Sequence, residues 1–295
     1  MRTVSHDLLQ DLGREFPEWR PWLTLIEEVL RETRESKWEA FVPEPPVSQD
    51  RKVPLLAGAT LVLEITAVGG WFERLLHTAY RSGAPKMSTL NSIQQKRLHT
   101  VDLFTFSLCQ NGQGLQETAM DLGVDADALQ AVTLLAPIPF LQACNRRWAP
   151  SISESWMAGY CPVCGAWPAF AEMRGIERRR YLRCGRCGSG WQAQCLSCSY
   201  CGMTDHEELL SLVPEKSGSH AVIDACKRCL GYVKTFTTLQ GSPPAKVLVD
   251  DLASVDLDIA ALEQGYRRPA GAGYALDINI VHKPSLSRRI LSWRT

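Results

Sequence analysis

Nine of the chain's eleven cysteines fall between Cys161 and Cys229, and eight of these form four CxxC pairs. The pairs are Cys161/Cys164, Cys184/Cys187, Cys198/Cys201 and Cys226/Cys229. They fall into two successive sets, separated internally by 19 and 24 residues. Two thiolates two residues apart can meet one tetrahedral ion, and two such pairs complete a four-sulfur site. The pattern therefore points to two metal ions, one per four-cysteine set. Four sulfurs suit zinc and mononuclear iron alike, so ligand type leaves the metal's identity open. Glycine follows Cys164, Cys187 and Cys201, as expected where a tight knuckle turn needs positive φ or a close amide. Eight thiolates and two dications would add about −4 to the local charge. The direct role for such ions is to hold small lobes together. A redox-active iron site or reactive thiol pair is the functional alternative.

Other residues with chemical potential carry weaker signals. Cys195 extends the third pair to CxxCxxC and can be read as a spare packed thiol or an alternative ligand. Cys109 and Cys144 read as small buried apolar residues. His206 and His220 lie between the last two pairs but add nothing that four cysteines lack. His6, His77, His99 and His282 have no partner pattern. Residues 174–186 hold Arg174, Arg178, Arg179, Arg180, Arg183 and Arg186 against Glu177 alone. That cluster can balance thiolate charge, face an acidic protein or, in a zinc ribbon, bind nucleic acid. Asp250, Asp251, Asp256 and Asp258 could suggest a carboxylate site, but Asp250 and Asp251 read more simply as residues at a helix N-terminus. Nucleotide-binding glycine loops, nucleophile elbows and HExxH are absent, so the expectation is a protein that is not an enzyme.

The 295 residues carry 32 Lys plus Arg against 32 Asp plus Glu, with 45% apolar residues. This composition supports a real core and disfavours a broadly basic nucleic-acid binder. The N-terminal sequence lacks the apolar run of a secretory signal, and no 18-residue apolar run occurs, so a cytoplasmic protein without membrane insertion is expected. Reduced cysteines fit that compartment.

The elements that must carry these residues give an α+β reading. Residues 1–155 read as a helical N-terminal domain. Helices are expected over Pro21–Ala40, Ala57–Tyr80 (with Gly69 and Gly70 weakening it), Thr89–Cys109 and from Leu115, with a last one over residues 140–148. Asp125 or Asp127 suits a helix cap. Three prolines break residues 42–50. Short strands between knuckles are expected over 156–194 and 195–240, one metal lobe in each. Residues 241–295 read as a segment packing on the lobes: a turn at 241–245, a strand from Lys246, a helix with Leu252, Val255, Ile259 and Leu262 on one face, Gly265 as its stop, and a strand in YALDINIV. The last arginines, 288, 289 and 294, read as solvated.

The stretches GYCPVCGAWP (159–168), RRYLRCGRCGSGW (179–191), SCSYCG (197–202), CKRC (226–229) and VDDLASVDLDIAALEQGY (249–266) together resemble the formate dehydrogenase accessory (formation) protein family of the FdhE type. The resemblance implies a helical N-terminal domain followed by two rubredoxin-like metal lobes. It implies a cytoplasmic maturation factor that binds the catalytic subunit of respiratory formate dehydrogenase, a molybdenum-cofactor protein with selenocysteine or cysteine, before Tat-dependent export. By position it assigns Cys161, Cys164, Cys184, Cys187, Cys198, Cys201, Cys226 and Cys229 as metal ligands, with iron as one candidate, and leaves Cys195 outside the pattern. Trp156, Tyr160, Trp167, Tyr181 and Trp191 then stand as client anchors or as packing for the lobes. A rubredoxin-like redox protein and a zinc-ribbon nucleic-acid binder are the competing readings. Nothing in the sequence fixes the oligomeric state.

Overall fold

The computed structural model describes residues 4–46, 50, 52–84, 86–95, 100–213 and 221–283. The architecture is α+β. The N-terminal part packs α1 (Val4–Glu15), α2 (Arg20–Glu32), β1 (Thr60–Glu64), α3 (Ile65–Arg81), α4 (Thr100–Cys109), α5 (Gly112–Leu122), α6 (Ala126–Thr133) and α7 (Ile138–Trp148) around one core. Its centre is aromatic: Trp38, Trp71, Phe72, Phe104, Phe140 and Trp148 are all fully buried. Each indole N–H finds an acceptor, Trp38 at Glu32, Trp71 at the Ala136 carbonyl and Trp148 at the Pro43 carbonyl. Burial therefore costs these rings no unpaired donor. The stretch Ala126–Ser151 is long and apolar enough to cross a membrane, but 78% of its 18-residue apolar window is buried inside the fold, as for a core helix.

Several local expectations hold for the expected reason. Asp125 caps α6 by accepting from the Ala128 amide, while Asp127 pairs with Lys86. The structure adds a cap that the sequence reading did not name, Asn111 on α5, and that helix ends at Gly123 with φ 65°. Others are corrected. The α2 helix stops at Glu32, and a 3-10 helix covers Ser36–Phe41. Within α2, Arg31 pairs with Glu28. Residues 60–64 are a strand because TLVLE alternates in burial and its backbone pairs in parallel with β8 (Asn279–Lys283). The glycines at 69 and 70 stay inside a continuous α3. Residues 86–95 form a 3-10 helix ahead of α4. His99, His220 and the terminal arginines lie outside the described residues.

The cysteine region builds one six-stranded sheet from β2 (Phe170–Arg174), β3 (Arg179–Arg183), β4 (Gly190–Gln192), β5 (Leu209–Leu212), β6 (Ala221–Cys226) and β7 (Tyr232–Thr238), in the order β4-β3-β2-β7-β6-β5. Each cysteine set supplies three antiparallel strands. The halves join through the parallel pair β2·β7, with Phe170 opposite Lys234 and Arg174 opposite Thr238. Two short helices follow, α8 (Val247–Leu252) and α9 (Val255–Glu263). The segment after Lys246 is thus helical, not a strand. The break at Ala253–Ser254 rephases the second helix, which buries Leu257 and Ala261 and leaves Ile259 and Leu262 exposed. Gly265 terminates it with φ 83°. The final strand, β8, pairs with β1 of the helical part.

Candidate metal centres

The four knuckles share one backbone turn. In the first three, the amide of the leading cysteine donates to the carbonyl five residues on: Cys161 to Ala166, Cys184 to Ser189 and Cys198 to Met203, at 2.8–2.9 Å. The amide four residues on donates back to the cysteine carbonyl, from Gly165, Gly188 and Gly202. These glycines have φ of 69°, 74° and 71°, a region costly for residues with a Cβ. The fourth knuckle keeps the first bond, Cys226 to Gly231, but places Leu230 in the left-handed position at φ 55°. Its glycine has moved one place on, where a Cβ would lie 2.4 Å from the Tyr200 ring.

These turns bring the sulfurs together in two groups. Cys161, Cys164, Cys184 and Cys187 form one and Cys198, Cys201, Cys226 and Cys229 the other, with the sulfurs of each group within 4.8 Å of one another. In the first, Sγ···Sγ is 3.4 Å for Cys161–Cys187 and 3.6 Å for Cys164–Cys184. In the second it is 3.5 Å for Cys198–Cys229 and 3.7 Å for Cys201–Cys226. A disulfide would need about 2.05 Å. A tetrahedron with metal–sulfur arms of about 2.3 Å has edges of about 3.8 Å. Both clusters are thus capable of coordinating one ion each, and the donor set fits zinc or iron. Cys195 belongs to neither; it is exposed, with its sulfur 3.9 Å from the Arg178 carbonyl.

The electrostatics fit the same use. Burial pushes the Cys161 and Cys187 thiols well above the ordinary range. For Cys184 burial acts the same way but is outweighed by hydrogen bonds from the other three thiols and the Cys187 amide, which hold it well below. In the second cluster burial raises Cys198 and Cys229. Cys201 falls, because the Met203 amide and the neighbouring thiols outweigh its burial.

The arginine cluster is not a surface patch. Arg183 is buried and donates to Glu172 at 3.0 and 3.2 Å and to the Gly188 carbonyl. Arg174 binds the same carboxylate and lies 4.1 Å over the Tyr181 ring. Arg180 is buried against the carbonyls of Gln194 and Ser197. Arg186, inside the second knuckle, donates to the Ser107 and Leu108 carbonyls and so ties the first cluster to the end of α4. Only Arg178 and Arg179 lie on the surface. The aromatics pack as well. Trp156 and Trp191 are buried with their N–H groups on the Tyr160 and Ala158 carbonyls. Tyr160 and Trp167 meet edge to face in a row that reaches Tyr200, in a knuckle of the second cluster. Cys144 is buried and Cys109 half-buried. His206 is exposed and, like His6 and His77, joins no cluster.

The structure also assembles a group that the sequence reading dispersed. The Lys234 ammonium is fully buried between Asp251 at 2.7 Å and Asp258 at 2.8 Å. Arg268 closes the square at 2.7 and 2.8 Å, and the Tyr232 hydroxyl donates to Asp258 at 2.6 Å. Burial, reinforced by that bond, raises Tyr232 to about 12. Asp251 and Asp258 are therefore partners of β7, not helix caps. Asp250 pairs instead with Lys246, and Asp256 is exposed. Acidic residues on an otherwise apolar segment were the signal, but their cations lie 17 and 10 residues away.

Residues 195–274, which hold the second cluster and this charge square, match the model of the FdhE C-terminal domain. The chain matches the FdhE family. A "Protein FdhE homolog" of Aquifex aeolicus is 27% identical over 205 residues, 66% of each chain. The homolog of Pseudomonas aeruginosa is 36% identical over 124 residues, 40% of each. Protein FdhE of Escherichia coli is 32% identical over 111 residues, 37% of this chain and 35% of that one. The aligned part thus spans under two thirds of these relatives' own lengths. The crystal structure of the FdhE protein from Pseudomonas aeruginosa superposes with a TM-score of 0.55 at 23% identity, over 92% of this chain and 94% of that one, which is agreement in fold.

Proposed function

We propose that the protein is a cytoplasmic, non-catalytic accessory factor that binds the catalytic subunit of respiratory formate dehydrogenase and aids its assembly before export. In this reading Cys161, Cys164, Cys184 and Cys187 ligate one iron or zinc ion in a rubredoxin-like lobe over residues 156–194. Cys198, Cys201, Cys226 and Cys229 ligate another in a second such lobe over 195–240. Residues 1–155 form the helical scaffold, and 241–295 fasten the lobes to one another and to it. A bound dication supplies the positive charge that lets four clustered thiolates coexist.

The observation that carries the reading is the pair of four-sulfur clusters on a fold shared with an FdhE protein. A rigid body built this way offers surface rather than a reaction centre, which suits recognition of a folding client. The nucleic-acid alternative loses its support, because Arg174, Arg180, Arg183 and Arg186 are spent on internal partners. The test is co-purification of the tagged protein with the unexported catalytic subunit from cells respiring formate. Recovery of that subunit supports the reading; its absence when the subunit is present in the lysate overturns it.

A further inference from the structure

The two clusters share a turn but not a setting. Cys161, Cys164, Cys184 and Cys187 are each 0% exposed or nearly so and belong to the main apolar core. Their knuckles are fastened from several directions. The amides of Leu55 and Leu56 donate to the Pro162 and Val163 carbonyls, the Tyr274 amide donates to Gly165, and Arg186 holds the end of α4. In the second cluster Cys198 and Cys226 are buried but Cys201 and Cys229 are exposed, and none of the four is part of a packed apolar cluster among the described residues. Its last knuckle carries Leu230, 42% exposed, in the left-handed conformation that glycine takes in the other three. Beside it lies a groove of about 170 Å³ lined by Cys195, Cys198, Cys226 and His206.

We propose that the two metal sites have different duties. The first holds a structural ion that leaves only when the core opens, and the second holds an ion that exchanges with solution while the fold stays intact. The inference rests on the metal reading above but not on the client. An ion leaves a four-thiolate site when a proton or an incoming ligand reaches a sulfur or the metal. At the first cluster that attack requires opening of the main core, whose free energy approaches that of global unfolding. At the second, two cysteines already face solvent, and the surrounding turns carry fewer apolar contacts to break. Exchange there is a local event. The second site thereby becomes the one through which metal supply can act on the protein.

The zinc-loaded full chain is mixed with a chromogenic zinc chelator, and release is followed in time alongside far-UV circular dichroism and tryptophan fluorescence. The expected result is one ion per chain released in a fast phase with both spectra unchanged. The second ion should follow at least about a hundredfold more slowly, together with unfolding. Alkylation between the phases, read by mass spectrometry, should mark Cys198, Cys201, Cys226 and Cys229 and spare Cys161, Cys164, Cys184 and Cys187. Cys195, outside both clusters, should be marked before chelator is added and serves as the internal control. The variant C201S/C229S should lose the fast phase and keep the slow ion; the alkylation map decides the assignment if that variant does not fold. Release of both ions in one phase, or marking of the first four cysteines in the folded chain, overturns the inference. A folded chain with no zinc at either site overturns it together with the metal reading. Failure of client binding with biphasic release overturns only the function proposed above.

Discussion

Replacing Lys234 with methionine tests the buried charge square that Lys234 forms with Asp251, Asp258 and Arg268. The ammonium is 0% exposed and contacts Asp251, Asp258 and the Asp251 carbonyl within 2.8 Å. Methionine fills nearly the same space, so the change removes charge rather than volume. Two largely buried carboxylates would then share Arg268 alone. Breaking a buried pair from one side costs about 3–5 kcal/mol, because the remaining charge keeps its desolvation penalty. For a chain of this size that corresponds to a fall of roughly 5–8 °C in Tm. The pH dependence adds a second readout. Burial opposes ionisation of Asp251, but Arg268 and Lys234 outweigh it and hold the carboxyl below its ordinary value. A depressed folded-state pKa contributes stability that is complete above the unfolded pKa, near 4, and lost as pH falls through the folded value. With Lys234 gone, the folded value rises toward the unfolded one, so the contribution should be smaller and its loss complete at higher pH. Urea unfolding followed by tryptophan fluorescence at pH 7 and pH 4 measures both effects. A K234M protein within about 1 kcal/mol of the parent, with an unshifted acid limb, would refute the argument that this square fastens α8 and α9 to β7.

Gly188→Ala should cost more stability than Gly202→Ala in thermal unfolding. Both residues have φ above 70°, but a Cβ at 188 lies 2.5 Å from the Pro244 carbonyl oxygen, whereas nothing lies within 4 Å at 202. The second change should cost about 1–2 kcal/mol and the first distinctly more; equal losses would show that the contact relaxes freely. Arg186→Ala leaves the Ser107 and Leu108 carbonyls without their charged donor and should cost about 2–3 kcal/mol by chemical denaturation. A loss under 0.5 kcal/mol would mean the first cluster does not depend on that tie. Leu230→Gly should stabilise the metal-loaded protein by up to about 1 kcal/mol by relieving left-handed backbone strain. A lower Tm would mean that the packing of the leucine outweighs the backbone.

The chemistry of the clusters was legible in the sequence because it depends on spacing alone. Two residues between cysteines and glycine after the pair specify a knuckle wherever the turn falls, and a cap such as Asp125 reads equally locally. What distant partners decide was not legible. Thr60–Glu64 reads as helix until Asn279–Lys283 supplies its neighbour. The run of arginines reads as surface until Glu172 and the Ser107 and Leu108 carbonyls take up three of its guanidinium groups. Asp251 reads as a helix-terminal residue until Lys234 and Arg268 arrive. The different burial of the two clusters has the same origin, since their knuckles are similar in sequence and only the first is pressed against the helical core.

Metal content with X-ray absorption on anaerobically purified protein addresses the account at its root. Two ions per folded chain should be found, each in a first shell of four sulfurs at about 2.3 Å. A folded protein that contains no metal, or one whose eight knuckle cysteines are joined as disulfides, would contradict it.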